Sequence, residues 1–551
     1  MRATEYLRTA LTSILNEEGF PWPAKTVIEP PRNEQHGDLS TNVAMLLAKE
    51  AGKNPRELAQ NIADRLSAAC PEIKSACAAG PGFCNVTFSP AFWQAVTNTI
   101  KREGERYGVS RAGGGCRVLV EYVSANPTGP LHVGHGRGAA VGDSLTRLLR
   151  KAGYAVDTEY YVNDAGRQMR LLGLSVWLRV RELESLPVTW PEDYYRGEYI
   201  IDIARELIAA EPHICELSEA EGQNRCYRYA VRKILDGIKK DLQEFHVEHQ
   251  RFFSEKTLVD DGAVDEALKA LDSAGYTCEE DGALWFASNR LGDDKNRVLK
   301  KSDGSLTYFA TDIAYHRDKY RRGYDRLIDI WGADHHGYVP RMRAAIQAMG
   351  RDPASFEVVL IQMVNLLQNG QPVGMSTRAG IFETLHDVLA EVGTDACRFM
   401  FLSRKSDSPL DFDLEVVKQR NLENPVYYVQ YAHARICAVL RRANERGIKL
   451  SEFLEKDVLS CLDTPEDMAL LRKAAAFVDM LASAARSLAV HHVSRYLTEL
   501  AGQTHAYYAR HQILVNDNEK LSHARLALMR AVAQVLRNGL DILGVSAPES
   551  M

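Results

Sequence analysis

The chain has 551 residues, room for about three to four domains at roughly 150 residues each, with 45% hydrophobic and 25% charged residues. That composition is ordinary for globular protein and excludes collagen-like, coiled-coil and disordered classes. A net charge of −6, from 67 basic and 73 acidic residues, shows no basic excess, so charge neither announces nor excludes a nucleic-acid partner.

The opening MRATEYLRTALTSILNEEGF mixes charges into an amphipathic helix and has no apolar signal-peptide core. No run approaches the ~18 apolar residues of a membrane span, so a cytoplasmic protein is expected. The 10 cysteines are scattered without a C-x-x-C pair, which fits reduced thiols and no zinc ribbon. Helical patterns over Ala3–Glu17 and Asn54–Ala69, then a Gly80-Pro81-Gly82 turn into a short strand ending at Phe88, describe a small α/β module. After Gly113-Gly114-Gly115, Arg117–Val123 (RVLVEYV) reads as a buried strand. From there to about residue 420 apolar runs alternate with helical patterns, as in a parallel α/β domain. Candidate strands lie at Ala155–Tyr161, Leu327–Trp331 and Val358–Val364. Beyond Asn424-Pro425, amphipathic helices are expected over 426–446, 466–488, 489–511 and 519–543, with Gly544 as a C-cap. The expected domains are 1–110, 111–424 and 425–551. Three basic clusters, Arg147–Lys151, His316–Arg322 and Arg435–Lys449, read as solvated helix faces.

The most informative stretch is Glu121–Gly138, EYVSANPTGPLHVGHGRG. A strand runs into Asn126-Pro127-Thr128-Gly129-Pro130, which cannot continue a sheet, and a helix follows to Lys151, ended by Gly153. His132 and His135, spaced i, i+3 at a helix start, share one face where free backbone N–H groups and the dipole favour an anion. Gly134 lets a nucleotide approach the backbone. The pattern suits a triphosphate whose charge is stabilised during transfer. His246 and His249 repeat the spacing without that context and read as surface or core. No third and fourth metal ligand stands nearby, so no metal site is expected.

Pro-x-Gly-x-Leu-His-Val-Gly-His resembles the "HIGH" signature of class I aminoacyl-tRNA synthetases. Further segments narrow the resemblance to the bacterial arginyl type: SANPTGP (124–130), YVNDAG (161–166), DGSLTYFATDIAYH (303–316), WGADHHGYVPRM (331–342), GMSTRAG (374–380) and NPVYYVQYAHAR (424–435). The likeness runs from His36-Gly37-Asp38 to Leu543–Glu549 and so covers nearly the whole chain. It implies a multidomain α/β plus all-α protein. Its parts are a small α/β N-terminal domain contacting the outer corner of tRNA, a Rossmann-type parallel-sheet catalytic domain with insertions, and a C-terminal helical bundle that binds the anticodon. The implied reaction is arginine–tRNA ligation with ATP and Mg²⁺ as the substrate complex, no tightly bound cofactor, L-arginine and tRNA(Arg) as partners, and a monomeric state.

The resemblance also implies site roles. ATP falls to Pro130, His132, Gly134, His135, Gly332, Asp334 and Met375. His132, His135, Ser376 and Arg378 serve catalysis. Arginine is assigned Glu121, Asn126, Tyr308, Asp312 and His335. A guanidinium needs a planar fork of acceptors, and Tyr308 and Asp312 stand four apart, on one face if that segment is helical. Asn126 takes the α-ammonium, and Glu121's role stays open. The second class signature, Lys-Met-Ser-Lys-Ser, here reads Gly374-Met375-Ser376-Thr377-Arg378, so both lysines are replaced. Thr128-Gly129-Pro130 supplies none either. Arg378 is the nearest cation, with Lys300 and Lys301 as outside candidates. Asn369-Gly370 marks a tight hairpin before this loop. For tRNA, His36, Asp38 and Asn42 stand in the N-terminal module, and Tyr427, Tyr431 and Arg435 in the helical end. Tyr428 lies on the same predicted helix as Tyr427, Tyr431 and Arg435, and Tyr507, Tyr508 and Arg510 form a second aromatic–basic set, at least half of all these tyrosines packing the bundle. His335-His336 as a metal pair lacks further ligands. Two alternatives remain at this level: another H-x-G-H nucleotidyltransferase or a synthetase for a different amino acid, and a non-catalytic RNA-binding relative, favoured by the lysine-poor loop.

Overall fold

Leu7, Leu11, Ile14 and Leu15 recur at helical spacing and are all buried, so α1 (Ala3–Glu17) lays one apolar stripe on the N-terminal core. The computed structural model describes residues 2–31, 33–372, 384–448 and 454–551. Helix α2 (Pro55–Ala69) begins where Asn54 accepts a bond from the Arg56 N–H and proline occupies the first turn. It lies on an antiparallel sheet of β1 (Ile28–Glu29), β2 (Leu39–Thr41), β3 (Ile73–Ala79) and β4 (Phe83–Phe88), in the order β1-β2-β4-β3.

The middle of the chain begins with β5 (Arg117–Glu121), whose Val118, Leu119 and Val120 are all buried, as a strand covered on both faces requires. The expected strand to Val123 stops at Glu121, because Val123 (φ 68°) and Ser124 (φ 43°) turn the chain through the left-handed region. Then come α3 (Val133–Lys151) and β6 (Ala155–Val162). A helical insertion follows, α4 (Arg167–Leu183), α5 (Glu198–Ala210) and α6 (Glu219–Glu244), before β7 (Arg251–Ser254). Next are a small antiparallel sheet of β8 (Thr277–Glu280), β9 (Ala283–Phe286) and β10 (Arg297–Lys300), then α7 (Tyr308–Arg321), β11 (Arg326–Gly332) and β12 (Phe356–Ile361). The central sheet is fully parallel in the order β12-β11-β5-β6-β7. Its order reverses between β5 and β11, and at such a switch point the carboxyl ends of the strands open a crevice. The expected strand Val358–Val364 is in fact two. The chain leaves β12 at Ile361 and begins β13 (Val364–Gln368) in another sheet, with β14 (Gln371–Pro372) and β15 (Leu410–Asp413). Asn369 and Gly370 both have positive φ in the β13–β14 turn, as an Asn-Gly hairpin demands.

The helical end is α8 (Pro425–Glu445), α9 (Pro465–Arg486), α10 (His491–Arg510) and α11 (Glu519–Leu543). Gly544 (φ 65°) caps α11 in the left-handed conformation. Helix α11 packs on α8, α9 and α10 and also on α3. At that junction the buried Arg398 guanidinium donates to Leu543 O (2.7 Å), Phe245 O (2.9 Å) and Asp143 Oδ2 (2.5 Å), joining the α11 end, the end of α6 and α3. All ten cysteines are free, and among the described residues no helix is long and apolar enough to cross a membrane.

Candidate active site

His132 is the N-cap of α3, and the two signature histidines cap each other. His132 Nδ1 accepts from the Gly134 N–H (3.1 Å), and His135 Nδ1 accepts from the His132 N–H (3.3 Å). Both Nδ1 atoms therefore lack a proton, and each neutral ring carries its hydrogen on Nε2. The rings stack with centroids 3.6 Å apart. Burial pushes His132 below the ordinary imidazole range; burial and then the His132 ring push His135 down to about 3. The pair is thus a fixed set of uncharged donors at a helix N-terminus. His132 also bridges Thr384, and Leu385 N–H donates to Leu131 O (2.8 Å), so chain following the second signature is tied to the first. Gly374, Met375, Ser376, Thr377 and Arg378 lie outside the described residues.

The turn between β5 and α3 is held from several sides. Tyr160 Oη donates to Ala125 O (2.8 Å), Tyr199 Oη to Thr128 O (2.6 Å), and Tyr161 N–H to Ser124 Oγ (3.0 Å). This leaves Asn126 exposed and Pro130 half-buried ahead of the histidines. Val123 and Ser124 keep a strained backbone here, a feature that collects at functional sites.

Tyr308 and Asp312 both lie on α7, as the spacing requires. Tyr308 is 67% exposed and lines a cavity of about 280 Å³ with Asn163, Ala165 and Gln168. Asp312 sits deeper and accepts from Tyr338 Oη, and no cation is bonded to it among the described residues. Burial raises its carboxyl above the usual range, with the Tyr338 bond opposing. Glu255, just after β7, is raised to about 7, chiefly by burial, with Asp312 and Asp164 adding to the rise and Tyr161 opposing it. Asp312 and Glu255, neither of them bonded to a cation among the described residues, form an acidic pair that a guanidinium would neutralise. Glu121 is buried at the carboxyl end of β5, where Oε1 accepts from Ser124 Oγ (2.9 Å) and Oε2 from Lys319 Nζ (2.5 Å). Gly332 ends β11, and a Cβ there would stand 2.5 Å from Asp334 Oδ1, so glycine fits this corner. Asp334 and His335 follow in an exposed 3₁₀ turn, 3.5 Å apart.

The same geometry has relatives. Residues 96–412 match the model for "tRNA synthetases class I (R), catalytic domain", residues 2–88 the "Arginyl tRNA synthetase N terminal domain" and residues 429–551 the "DALR anticodon binding domain". A protein of Desulfovibrio desulfuricans described as arginine–tRNA ligase is 71% identical over 551 residues, all of both chains. The chain belongs to the arginine–tRNA ligase family. Another ligase of that description, from Nitratidesulfovibrio vulgaris strain Miyazaki F, is 59% identical over the full length of both chains. The fold is also that of Thermus thermophilus arginyl-tRNA synthetase, with a TM-score of 0.77, 24% identity and complete coverage of both chains.

The remaining residues that resemble ligase positions are placed as follows. Tyr427 and Tyr431 stack on α8 (6.0 Å), Tyr431 continues onto His505 (5.7 Å), and the Arg435 guanidinium lies 3.9 Å over Tyr508. Tyr507 is instead 1% exposed and donates to Asp467 Oδ1 (2.6 Å), so it packs the bundle. His36 is exposed. The Asp38 carboxylate is committed inside the fold, accepting from the Phe88 N–H (2.8 Å) and pairing with Arg472 (2.7 Å). Asn42 Oδ1 accepts from the Val27 N–H (2.8 Å). His246 is exposed, whereas His249 is inside and its Nε2 bonds to Tyr122 O (3.2 Å). Lys300 and Lys301 are exposed at the end of β10.

One reading of a basic cluster is corrected. HRDKYRR (316–322) is a solvated face only in part: Arg321 is exposed, but His316 is 4% and Lys319 0% exposed, and Lys319 joins Glu121 to Asp329. The H-x-x-K spacing on one face of α7 was the available signal, and Asp329 inside a β-strand was the other.

Proposed function

We propose that this ligase activates L-arginine with ATP·Mg²⁺ and transfers it to tRNA(Arg). The observation that carries the reading is a neutral imidazole pair at a helix N-terminus, around the same strand ends as an acidic pocket whose Asp312 has no bonded cation among the described residues. In the first step an oxygen of the arginine carboxylate attacks the α-phosphorus, the bond to the bridging β-oxygen breaks, and pyrophosphate leaves. His132 and His135 donate from Nε2 to phosphate oxygens, where preorganised donors stabilise charge as it develops. In the second step a hydroxyl of the terminal adenosine attacks the adenylate carbonyl, and AMP leaves.

Pro130, Gly134, Gly332, Asp334 and Met375 seat the nucleotide, and Ser376 and Arg378 attend the leaving pyrophosphate. Asp312 and Tyr308 take the guanidinium, with Glu255 adding negative charge. Asn126 takes the α-ammonium, Glu121 adds a carboxylate to the arginine site, and His335 borders the substrate. Tyr427, Tyr431 and Arg435 offer stacking and charge to the anticodon loop. His36 meets the outer corner of the tRNA, with Asp38 and Asn42 shaping that surface. The division 1–110, 111–424 and 425–551, a monomeric state and a cytoplasmic setting complete the proposal. Charging of tRNA(Arg) across an amino-acid panel tests it: arginine alone is expected to be esterified, and charging with lysine or citrulline at comparable efficiency would refute the Asp312 assignment.

A further inference from the structure

Glu121 belongs to a buried charge cluster whose other members, Lys319, Asp329 and His316, the reaction above does not use. Lys319 Nζ donates to Glu121 Oε2 (2.5 Å) and Asp329 Oδ1 (2.9 Å). His316 Nε2 stands 2.9 Å from Asp329 Oδ2, and its Nδ1 stands 2.8 Å from the Asp312 carbonyl oxygen. A carbonyl and an ionised carboxylate can only accept, so His316 holds a proton on both nitrogens. Two positive groups then balance two negative ones, Glu121 and Asp329, and Asp312 is left over for the substrate. Burial alone would lower the Lys319 ammonium, but Asp329 and Glu121 hold it above its ordinary range. Burial raises Asp329 too, yet Lys319 and His316 outweigh it and bring the carboxyl to about 2. Burial pushes Glu121 up, and Lys319 opposes that rise. The other polar groups facing Glu121 are Tyr315 from α7, Tyr161 from β6 and Ser124 from the turn. None of them supplies a positive charge.

We propose that Lys319 is a positioning residue of the arginine site, keeping Glu121 ionised and its carboxylate held at the carboxyl end of β5 toward the bound arginine. The inference rests on Glu121 meeting arginine, as proposed above. Apolar replacement of a buried ion pair is often neutral for stability, so a purely structural lysine has no need to be here. Glu121 is gripped at both oxygens, by Lys319 and Ser124, and each oxygen retains acceptor capacity toward a ligand.

The test uses the full chain with ATP·Mg²⁺ and tRNA, comparing wild type, Glu121→Gln, Lys319→Met, Lys319→Arg and the Glu121→Gln/Lys319→Met pair. Lys319→Met is expected to raise the KM for arginine at least about tenfold, one pKa unit of lost ionisation, and leave the KM for ATP within about twofold. It also gives kcat/KM for arginine a new limb that rises with pH, as Glu121 and Asp329 shed the proton they then share. Lys319→Arg, which keeps the charge, has no such limb. The paired variant keeps the cluster neutral and so folds, and its KM for arginine matches that of Glu121→Gln. Equal losses for both substrates, a flat pH profile in Lys319→Met, or a further rise in the paired variant would overturn the inference and leave Lys319 structural. An unchanged KM for arginine in Glu121→Gln would remove the Glu121 contact itself, which is a separate failure.

Discussion

Replacing His135 by alanine perturbs the site at the point where its geometry is most specific. The ring offers one neutral Nε2–H, because its Nδ1 already accepts the His132 N–H. Loss of a single preorganised donor to developing charge costs about 3 kcal/mol, or 10²- to 10³-fold in the rate of adenylate formation. His132→Ala removes the equivalent donor and also the N-cap bond to the Gly134 N–H, which adds about 1 kcal/mol of lost stability. Because the rings stack at 3.6 Å and cap each other, the double variant should lose less than the sum of the two singles. The assay is arginine-dependent ATP–pyrophosphate exchange with tRNA(Arg) present and substrates saturating, with circular dichroism to verify folding. Neutral donors also predict that the wild-type rate shows no limb from these groups near pH 6.5, since His135 titrates at about 3. A single-variant rate within about threefold of wild type would refute the donor role. So would a rate that rises as the pair becomes protonated.

Asp312→Asn should raise the KM for arginine by about 10²-fold with the KM for ATP nearly unchanged, since a charged partner of the guanidinium is lost; equal effects would make Asp312 structural. Gly142→Ala places a Cβ 2.2 Å from the ring of the buried Tyr122, so α3 and the Tyr122 ring must move apart. About 1–3 kcal/mol of stability is expected to go, measurable by urea unfolding, and a neutral result would contradict the close approach. Glu255, raised to about 7, binds protons more tightly folded than unfolded. Its contribution is therefore present below the unfolded value near 4.5 and lost as pH rises through 7. Glu255→Gln should gain stability relative to wild type across that interval, by on the order of 2 kcal/mol, and a difference that is flat with pH would refute the shift.

The signature histidines were legible because local chemistry alone builds their site: a turn that breaks a strand, then a capped helix. The helices were legible for a similar reason, since α1 follows its apolar period and α11 stops at Gly544, where only a left-handed residue fits. Val358–Val364 failed because a continuous apolar run carries no record of the chain changing sheets at Gln362-Met363. The insertion α4–α6 was not singled out as a unit, since its amphipathic pattern resembles that of any crossover helix. The Lys319 cluster failed for a different reason. A lysine surrounded by arginines reads as solvated until the fold brings Glu121 and Asp329 to it from strands about 200 and 10 residues away. Asp38 shows the converse, a motif residue whose carboxylate the structure uses to join the Phe88 backbone to α9.

The replacement of both signature lysines by Gly374 and Thr377 makes catalytic competence the central claim. Arginine-dependent ATP–pyrophosphate exchange by the full chain, with and without charging-competent tRNA(Arg), tests it most directly. The account predicts exchange that requires arginine and appears once tRNA is present, with Arg378→Ala sharply slower. Folded protein that exchanges in neither mixture, yet still binds tRNA, would contradict it and identify an RNA-binding scaffold in place of a ligase.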